Sequence, residues 1–334
     1  MDNLTHSLTG LALSRAGLNR FSPHATALLV LSANAPDCDV VAATRGSLAY
    51  LEAHRGYTHS LLGLPVIALL CVLVVAAIFR SKLPWGRAWL LCCLGVASHL
   101  LLDLTNSYGI RLLVPFSSRW SHLDLNGLYD AWILAVLAFA AVWPLFARLV
   151  SSEIGSRAPS GRGTALLALG FFVVFDFARA VLHAQAVAQL DSRLWNGNPA
   201  LQTAAMPDSF SPFRWRGVVE TAADYRLLDL NTRAPSDLGD LHHRYTKLPW
   251  GAELANAART EPFRYFLYFA RFPVWSESPV VVNGDARKRV DLTDLRFGAP
   301  NSGSFHCIAL ANARDRTVQS WFTFGSGQDL GWGQ

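Results

Sequence analysis

Four long apolar runs dominate the first half of the chain, at residues 61–79, 88–105, 131–150 and 164–182. A helix needs about 20 predominantly apolar residues to cross the hydrocarbon core of a bilayer, so we expect each run to be a transmembrane helix. The composition agrees, because only 16% of the 334 residues are charged, whereas soluble domains carry about 25% charged residues. The sequence therefore predicts a multi-pass membrane protein.

Two shorter apolar stretches precede these runs, at residues 4–18 and 24–41, and polar residues interrupt both. Such interruptions are tolerated at membrane depth where they are buried in protein or face a cavity. We expect two short or re-entrant helices packed against the four spans. Residues 1–183 are thus predicted to form an α-helical membrane domain with four long spans and two short N-terminal helices.

The pattern changes in residues 184–334, where short runs rich in Val, Phe, Tyr and Trp alternate with Gly, Pro, Asn and Asp. Such runs are typical of strands, and we expect a small, mainly antiparallel β domain that is soluble. A helix is expected within 234–260. The predicted strands are 215–220, 225–230, 264–270, 280–283, 290–297, 305–311 and 317–324.

The distribution of basic residues predicts the orientation in the membrane, because cytoplasmic loops are enriched in Lys and Arg. Eight basic residues lie in three loops that we assign to the cytoplasm, and four lie in the opposite loops. We expect the C-terminal domain to lie on the extracytoplasmic side. No block of Lys or Arg occurs, so nucleic-acid binding is not expected. The eight are Arg15, Arg20, Arg80, Lys82, Arg87, Arg148, Arg157 and Arg162.

Ionisable residues inside a membrane domain are rare and usually functional, yet this domain carries a set of histidines and aspartates. Counting passages through the membrane brings them all to one face, opposite the basic loops. Scattered histidines without a function have no reason to converge in this way. The set is His6, Asp37, Asp39, His54, His59, His99, Asp103, His122, Asp124 and Asp130.

The spacing of these residues suggests a metal site. The segment HLLLD puts His99 and Asp103 at i and i+4, on one face of a helix, where an imidazole and a carboxylate can bind one cation. APDCD places two aspartates two residues apart, and HRGYTHS joins two histidines through a turn at Gly56. A single transmembrane histidine is more often a packed residue than a ligand, and the HxxxD pair makes the two readings about equal.

The predicted roles follow from these patterns. The ligands we favour are His54, His59, His99, Asp103 and one of Asp37 and Asp39, and His6 and His122 are further candidates. Asp37, Asp39 or Asp130 is expected to act as general base or to orient a ligand. Arg55, beside the site, is expected to bind an anionic substrate.

Five motifs together resemble the YdjM-like family of bacterial inner-membrane proteins: LTHSLTG, APDCD, HRGYTHS, ASHLLLD and WSHLD. Members are described as predicted membrane-bound, metal-dependent hydrolases, some under SOS-type regulation. The resemblance covers about residues 1–150, and the added span and β-rich domain are similar to the longer members. The mixture of HxxxD with separate His and Asp candidates is also similar to zinc-dependent phospholipase C and P1-type nucleases, although no HxxxE pair occurs.

These observations favour a membrane-embedded, metal-dependent hydrolase that uses one or two divalent ions, with Zn²⁺ the first choice. The expected substrate is a membrane lipid or another amphiphilic phosphate ester, since the residues gather at the membrane interface. One alternative is a transporter for metal ions or protons, because intramembrane His and Asp also mark ion pathways. Another is a non-catalytic envelope scaffold that uses metal only to hold its helices together.

Overall fold

A computed structural model describes residues 1–155, 160–234, 241–282, 284–300, 305–312 and 317–325. It confirms the predicted fold class, a helical N-terminal half followed by a mainly β C-terminal region. Arg157, one of the loop residues used for the orientation, lies outside the described residues. The α-helices are α1 (Asn3–Arg15), α2 (Ala25–Asn34), α3 (Ser47–Ala53), α4 (Gly63–Phe79), α5 (Trp85–Leu104), α6 (Ala131–Glu153), α7 (Arg162–Asp191), α8 (Ala252–Ala258) and α9 (Glu261–Phe269).

Four helical segments in the described part of the chain are long and apolar enough to cross a membrane. Three of them, α5, α6 and α7, correspond to predicted spans. The fourth is Ala25–Arg45, which combines α2 with a 3-10 helix, Ala35–Arg45, and covers the predicted short segment 24–41. Helix α4 has only 17 residues and passes this test only when joined to Ser47–His59, which would give a fifth span.

The chain divides into two compact units, and each unit is built from three segments that are not contiguous in the sequence. Unit 1 contains Met1–Val40, His54–Ala184 and Pro207–Arg214, and unit 2 contains Val41–Ala53, Gln185–Met206 and Trp215–Gln334. The main boundary lies beside the predicted one at residue 183. Individual contacts hold two of the short segments in their units. Tyr50 of α3 packs on Phe324 within unit 2, and the carbonyl oxygen of Phe210 accepts a hydrogen bond from Trp132 within unit 1.

Unit 1 has a core of small and branched apolar residues. One cluster joins α2, α4 and α5, and a second joins α1, α6 and α7. Helices α1 and α2 approach closely at Gly10, where an added Cβ would lie 2.7 Å from the carbonyl oxygen of Leu29. This close approach packs α1 on α2, and α2 packs in turn on α5, the helix that carries His99 and Asp103.

Unit 2 contains two four-stranded sheets with strand orders β1-β2-β3-β4 and β5-β6-β7-β8. Neighbouring strands pair antiparallel in the registers that are described, and side chains of both sheets share one core. The strands are β1 (Gln202–Pro207), β2 (Arg214–Glu220), β3 (Asp224–Asn231), β4 (Leu241–Thr246), β5 (Pro273–Val282), β6 (Asp285–Asp294), β7 (Phe305–Ala311) and β8 (Thr317–Phe324).

One predicted strand was wrong, because residues 264–270 lie mostly in helix α9. Phe263, Phe266 and Phe269 recur every three residues and are buried together on one face, which is a helical period rather than the alternation of a strand. The helix expected within 234–260 is α8, and it follows β4, a strand that the sequence did not reveal.

Candidate metal centre

The candidate ligands come from three elements of unit 1. Asp37 and Asp39 lie in the 3-10 helix Ala35–Arg45, which continues from α2. His59 ends a short 3-10 helix, Tyr57–His59. His99 and Asp103 lie one turn apart near the end of α5 and are fully buried, as the i, i+4 spacing predicted.

Asp37, His59, His99 and Asp103 converge on one point, and we call them the inner group. The Nε2 atoms of the two histidines are 3.0 Å apart. Nε2 of His59 is 3.4 Å from Asp37 Oδ1 and 3.4 Å from Asp103 Oδ2, and Nε2 of His99 is 3.6 Å and 3.5 Å from the same oxygens. Donor atoms of a tetrahedral site with bonds of about 2.0–2.1 Å are about 3.3–3.4 Å apart. The inner group therefore has the dimensions of a four-coordinate cation site.

Hydrogen bonds set the tautomers of both histidines. His99 Nδ1 lies 2.7 Å from the carbonyl oxygen of Ala33, which can only accept, so Nδ1 carries the proton. The hydroxyl of Thr58 donates to Asp39 and accepts from His59 Nδ1 at 2.9 Å. In neutral rings, both Nε2 atoms then present lone pairs to each other, an arrangement that a cation between them would stabilise.

The carboxylate of Asp103 faces two environments. Its Oδ1 accepts a hydrogen bond from Arg55 Nη2 at 3.0 Å and contacts the amino group of Met1. Its Oδ2, which faces His59 and His99, is buried and has no hydrogen-bond partner in the described part of the chain. A buried carboxylate oxygen without a partner is costly, and a divalent cation bound by the inner group would satisfy it.

Asp39 holds the HRGYTHS segment in place. Its Oδ1 lies 2.8 Å from His54 Nδ1, and its Oδ2 accepts from the backbone N–H of Arg55 at 3.1 Å and the hydroxyl of Thr58 at 2.8 Å. Within this turn Arg55, beside Gly56, lies in the left-handed region, with φ 57°. Asp39 thus orients both histidines of the segment, one directly and one through Thr58.

Asp37, Asp39 and His54 form a second group that shares Asp37 with the inner group, and we call it the outer group. The ligand atoms of the three residues lie within 4.8 Å of one another. Asp37 is 17% exposed at its side chain and His54 is 12% exposed, whereas the other three side chains of the inner group are fully buried. Solvent therefore reaches the centre from the outer group.

The side chain of Arg55 is buried and points inward. Its Nη1 donates to the side-chain oxygen of Asn106 at 2.9 Å and lies 3.4 Å from the carbonyl oxygen of Gly109. The guanidinium also stacks over Tyr108, 4.6 Å from the ring centroid. With Nη2 on Asp103, both terminal nitrogens are engaged by the protein. The geometry makes Arg55 a positioning residue for Asp103, and binding of an anionic substrate stays a prediction.

Two predicted histidine ligands lie outside both groups. The ring of His6 stacks on His99 with centroids 3.8 Å apart, and its Nε2 is 3.5 Å from Asp103 Oδ1, so it adjoins the inner group. His122 pairs with Asp124 at 3.3 Å. His6 is therefore a neighbour of the centre, while the contacts of His122 give it no part in either group.

Asp130 is also outside both groups. It is the N-cap of α6, and its Oδ1 accepts from the backbone N–H groups of Trp132 and Ile133 at 3.1 and 3.2 Å. An aspartate at this position satisfies amide groups that the first helical turn leaves unpaired. The geometry supplies a structural role for Asp130, and a role as general base stays a prediction.

Three residues that orient the centre were not predicted: Thr58, Asn106 and Ala33. Thr58 stands inside HRGYTHS, so its position beside His59 was the available signal. Asn106 follows Asp103 by three residues and positions Arg55. Ala33 acts through its backbone carbonyl, which no side-chain pattern reveals.

The family model for the YdjM inner membrane protein matches residues 1–186. This is more than half of the chain, and it includes both the inner and the outer group. The chain belongs to the YdjM inner membrane protein family. With the four apolar helical segments, membership makes it a multi-pass inner membrane protein, and it confirms the family resemblance drawn from the five motifs.

Two curated relatives each match part of the chain. The uncharacterized protein YfhP of Bacillus subtilis (strain 168) is 31% identical over 156 residues, 43% of this chain and 46% of YfhP. The inner membrane protein YbcI of Escherichia coli (strain K12) is 38% identical over 94 residues, 27% of this chain and 53% of YbcI. The chain thus spans about half the length of each of these curated relatives. No solved structure matches the chain.

Proposed function

We propose that this YdjM-family protein is a membrane-embedded, metal-dependent hydrolase. The observation that carries the proposal is the inner group, with two Nε2 atoms and two carboxylate oxygens at 3.0–3.6 Å. Histidine nitrogen and carboxylate oxygen suit Zn²⁺ at these dimensions. A divalent cation held at this centre would supply Lewis acidity and, at a position that the protein leaves open, would lower the pKa of a bound water towards about 7.

Other residues of the chain orient the ligands and give access to the centre. Asp39 and the carbonyl of Ala33 hold the two imidazole rings with Nε2 facing the centre, which fixes ligand orientation without further rearrangement. Arg55 holds Asp103 from behind and keeps its Oδ2 directed at the centre. Asp37 combines membership of the inner group with partial exposure, so substrate and water are expected to approach along it.

The substrate class that we propose is a phosphate ester or another lipid-like amphiphile at the extracytoplasmic membrane interface. Exposed apolar side chains flank His59, since Tyr57 is 67% exposed and Leu61 is 53% exposed. Such side chains favour contact with acyl chains over water. The extracytoplasmic side is supported by the eight-to-four distribution of basic residues in the loops.

The test uses full-length protein purified in detergent. Metal content is measured by elemental analysis, and hydrolysis is assayed with bis(p-nitrophenyl) phosphate and with phospholipid vesicles. We expect bound Zn²⁺, turnover that a chelator removes and Zn²⁺ restores, and loss of both metal and turnover in the triple variant His59→Ala, His99→Ala, Asp103→Ala. His24→Ala is the control, because this histidine stacks on Phe79 and belongs to neither group.

Two outcomes would contradict the proposal. An unchanged metal content in the triple variant would show that the inner group does not bind the metal. Metal bound without turnover on any phosphate or acyl ester would favour the scaffold. In that case, Zn²⁺ uptake into proteoliposomes that is lost in His99→Ala would favour the transporter.

A further inference from the structure

We propose that the centre holds two cations, one in the inner group and one in the outer group, with the carboxylate of Asp37 bridging them. This inference rests on the metal binding of the proposed function and assigns the reacting position within it. The two groups share Asp37 as their common member. The cation of the outer group would be the one that meets substrate.

Four donors from the chain already fill the tetrahedron of the inner group. Zinc sites closed by four protein ligands are typically structural, whereas catalytic sites keep three protein ligands and one open position. The inner group by itself therefore resembles an anchoring site, and a hydrolase needs an open position elsewhere.

The outer group supplies such a position. Asp37, Asp39 and His54 offer three ligand atoms within 4.8 Å of one another, one fewer than a closed site. Asp39 Oδ2 is committed to Arg55 and Thr58, which leaves Oδ1 for this group. Oδ1 lies 2.8 Å from His54 Nδ1, and a cation bound by both atoms would take the place of the proton that they share. Three donors with an open fourth position are the arrangement of a catalytic site.

Asp37 has the geometry of a bridge. Its ion-pair contacts with His59 and His99, at 3.4 and 3.6 Å, both use Oδ1. No contact of its Oδ2 with a basic group occurs in the part of the chain that the structure describes, so this oxygen is available to the outer group. A carboxylate can bind one cation through each oxygen, as in two-metal hydrolases.

The two groups differ in how far their side chains are buried. His59, His99 and Asp103 are fully buried at their side chains, whereas Asp37 and His54 are 17% and 12% exposed. Water and substrate therefore reach the outer group first. This ordering agrees with an enclosed anchoring ion and an accessible reacting ion.

The opposite side of the inner group does not suit a second cation. Oδ1 of Asp103 already accepts from Arg55 and contacts the amino group of Met1. A divalent ion placed there would stand beside the guanidinium of Arg55 in a buried environment, where repulsion is poorly screened. Although both nitrogens of His6 are buried without hydrogen-bond partners among the described residues, its Nε2 faces this occupied oxygen.

The experiment counts bound metal in full-length protein saturated with Zn²⁺ and then freed of excess metal by gel filtration. We expect two Zn²⁺ per chain in the unsubstituted protein, one in His54→Ala, and two in the control His24→Ala. Protein loaded with Co²⁺ gives a second measurement. Two ions bridged by Asp37 should show magnetic coupling by electron paramagnetic resonance, and His54→Ala should show one uncoupled ion.

One ion per chain in the unsubstituted protein, with no magnetic coupling of Co²⁺, would overturn the inference. His54→Gln replaces His54→Ala if the alanine variant does not fold, and two ions in this variant would also overturn it. If the protein binds one ion per chain and still hydrolyses substrate, the proposed function stands and only the bridging role of Asp37 is contradicted. If the protein binds two coupled ions but hydrolyses no substrate, the bridging role of Asp37 stands and the proposed hydrolase activity is contradicted.

Discussion

Arg55 Nη2 lies 3.0 Å from Asp103 Oδ1, while the other oxygen of the same carboxylate faces the two histidines of the inner group. One buried anion is therefore shared between a fixed guanidinium and the proposed cation. Both positive partners offset the cost of burying Asp103, and removing one should make the chain depend more on the other.

The variant Arg55→Gln tests this sharing. Removing one partner of a buried ion pair destabilises a protein by about 3–5 kcal/mol, and the metal-free protein should lose stability of this order. Bound Zn²⁺ should compensate part of the loss, so the rise in melting temperature on adding Zn²⁺ should be larger in Arg55→Gln than in the unsubstituted protein. Thermal unfolding in detergent, with and without Zn²⁺, measures both rises. Equal rises would show that Arg55 and the cation do not share Asp103.

Thr58→Val tests the orientation of His59. The valine keeps the shape of the side chain but removes the hydroxyl that links His59 Nδ1 to Asp39. Loss of a group that orients a metal ligand typically lowers metal affinity about 10–100-fold, and we expect Zn²⁺ affinity to fall by about 10-fold in competition with a chelator. Thr44→Val is the matched control, since the hydroxyl of Thr44 donates to the carbonyl oxygen of Val41 and Thr44 belongs to neither group. An unchanged affinity in Thr58→Val would contradict the hydrogen-bond relay.

Gly10→Ala tests the close approach of α1 and α2. The added Cβ would lie 2.7 Å from the carbonyl oxygen of Leu29, and overpacking of this kind typically costs about 1–3 kcal/mol. The matched control is Gly170→Ala in α7, where an added Cβ meets nothing within 4 Å and the higher helix propensity of alanine should be neutral or stabilising. A melting temperature that falls equally in both variants, or in neither, would contradict the packing argument.

The convergence of the candidate metal ligands was largely predictable because these residues stand in short motifs. The i, i+4 spacing of His99 and Asp103 fixes their shared helix face before any tertiary contact forms. The number of membrane passages then brings His59 and Asp37 to the same face. The roles of Asp130 and Arg55 were harder to predict, because a cap and a buried ion pair depend on which backbone amide or carboxylate the fold places nearby.

The limits of the fold prediction also have physical reasons. Helix α9 was predicted as a strand because aromatic residues favour both states, and only the three-residue recurrence of Phe263, Phe266 and Phe269 distinguishes them. The assignment of 41–53 to unit 2 depends on tertiary packing such as Tyr50 on Phe324. No local pattern encodes a contact between residues so distant in sequence.

Asp224 in unit 2 predicts a dependence of stability on pH. Burial acts to raise the pKa of this carboxyl, but hydrogen bonds from Thr221, Arg226 and Arg244 outweigh it and hold the pKa below its usual value. The unfolded carboxyl titrates at about 3.9. The stabilisation is therefore complete above that pH and is lost as the pH falls through the folded pKa.

The measurement is the difference in melting temperature between the unsubstituted protein and Asp224→Asn. We expect this difference to be constant between about pH 5 and 7 and to shrink below about pH 4. Unfolding is followed by the intrinsic tryptophan fluorescence of the protein, to which the buried Trp215 of unit 2 contributes. A difference that grows as the pH falls would contradict the direction of the pKa shift.

Asp130→Ala separates a cap from a general base. The side chain accepts from two amide groups at the start of α6, and replacing an N-cap aspartate with alanine typically costs about 0.5–2 kcal/mol. Because Asp130 belongs to neither group of candidate ligands, we expect a lower melting temperature with unchanged Zn²⁺ content and, in the folded protein, unchanged turnover. Asp130→Asn is the informative second variant, since asparagine also caps helices well but cannot act as a base. Full stability with lost turnover in Asp130→Asn would assign the general base to Asp130, whereas full stability with full turnover would leave it as the cap of α6.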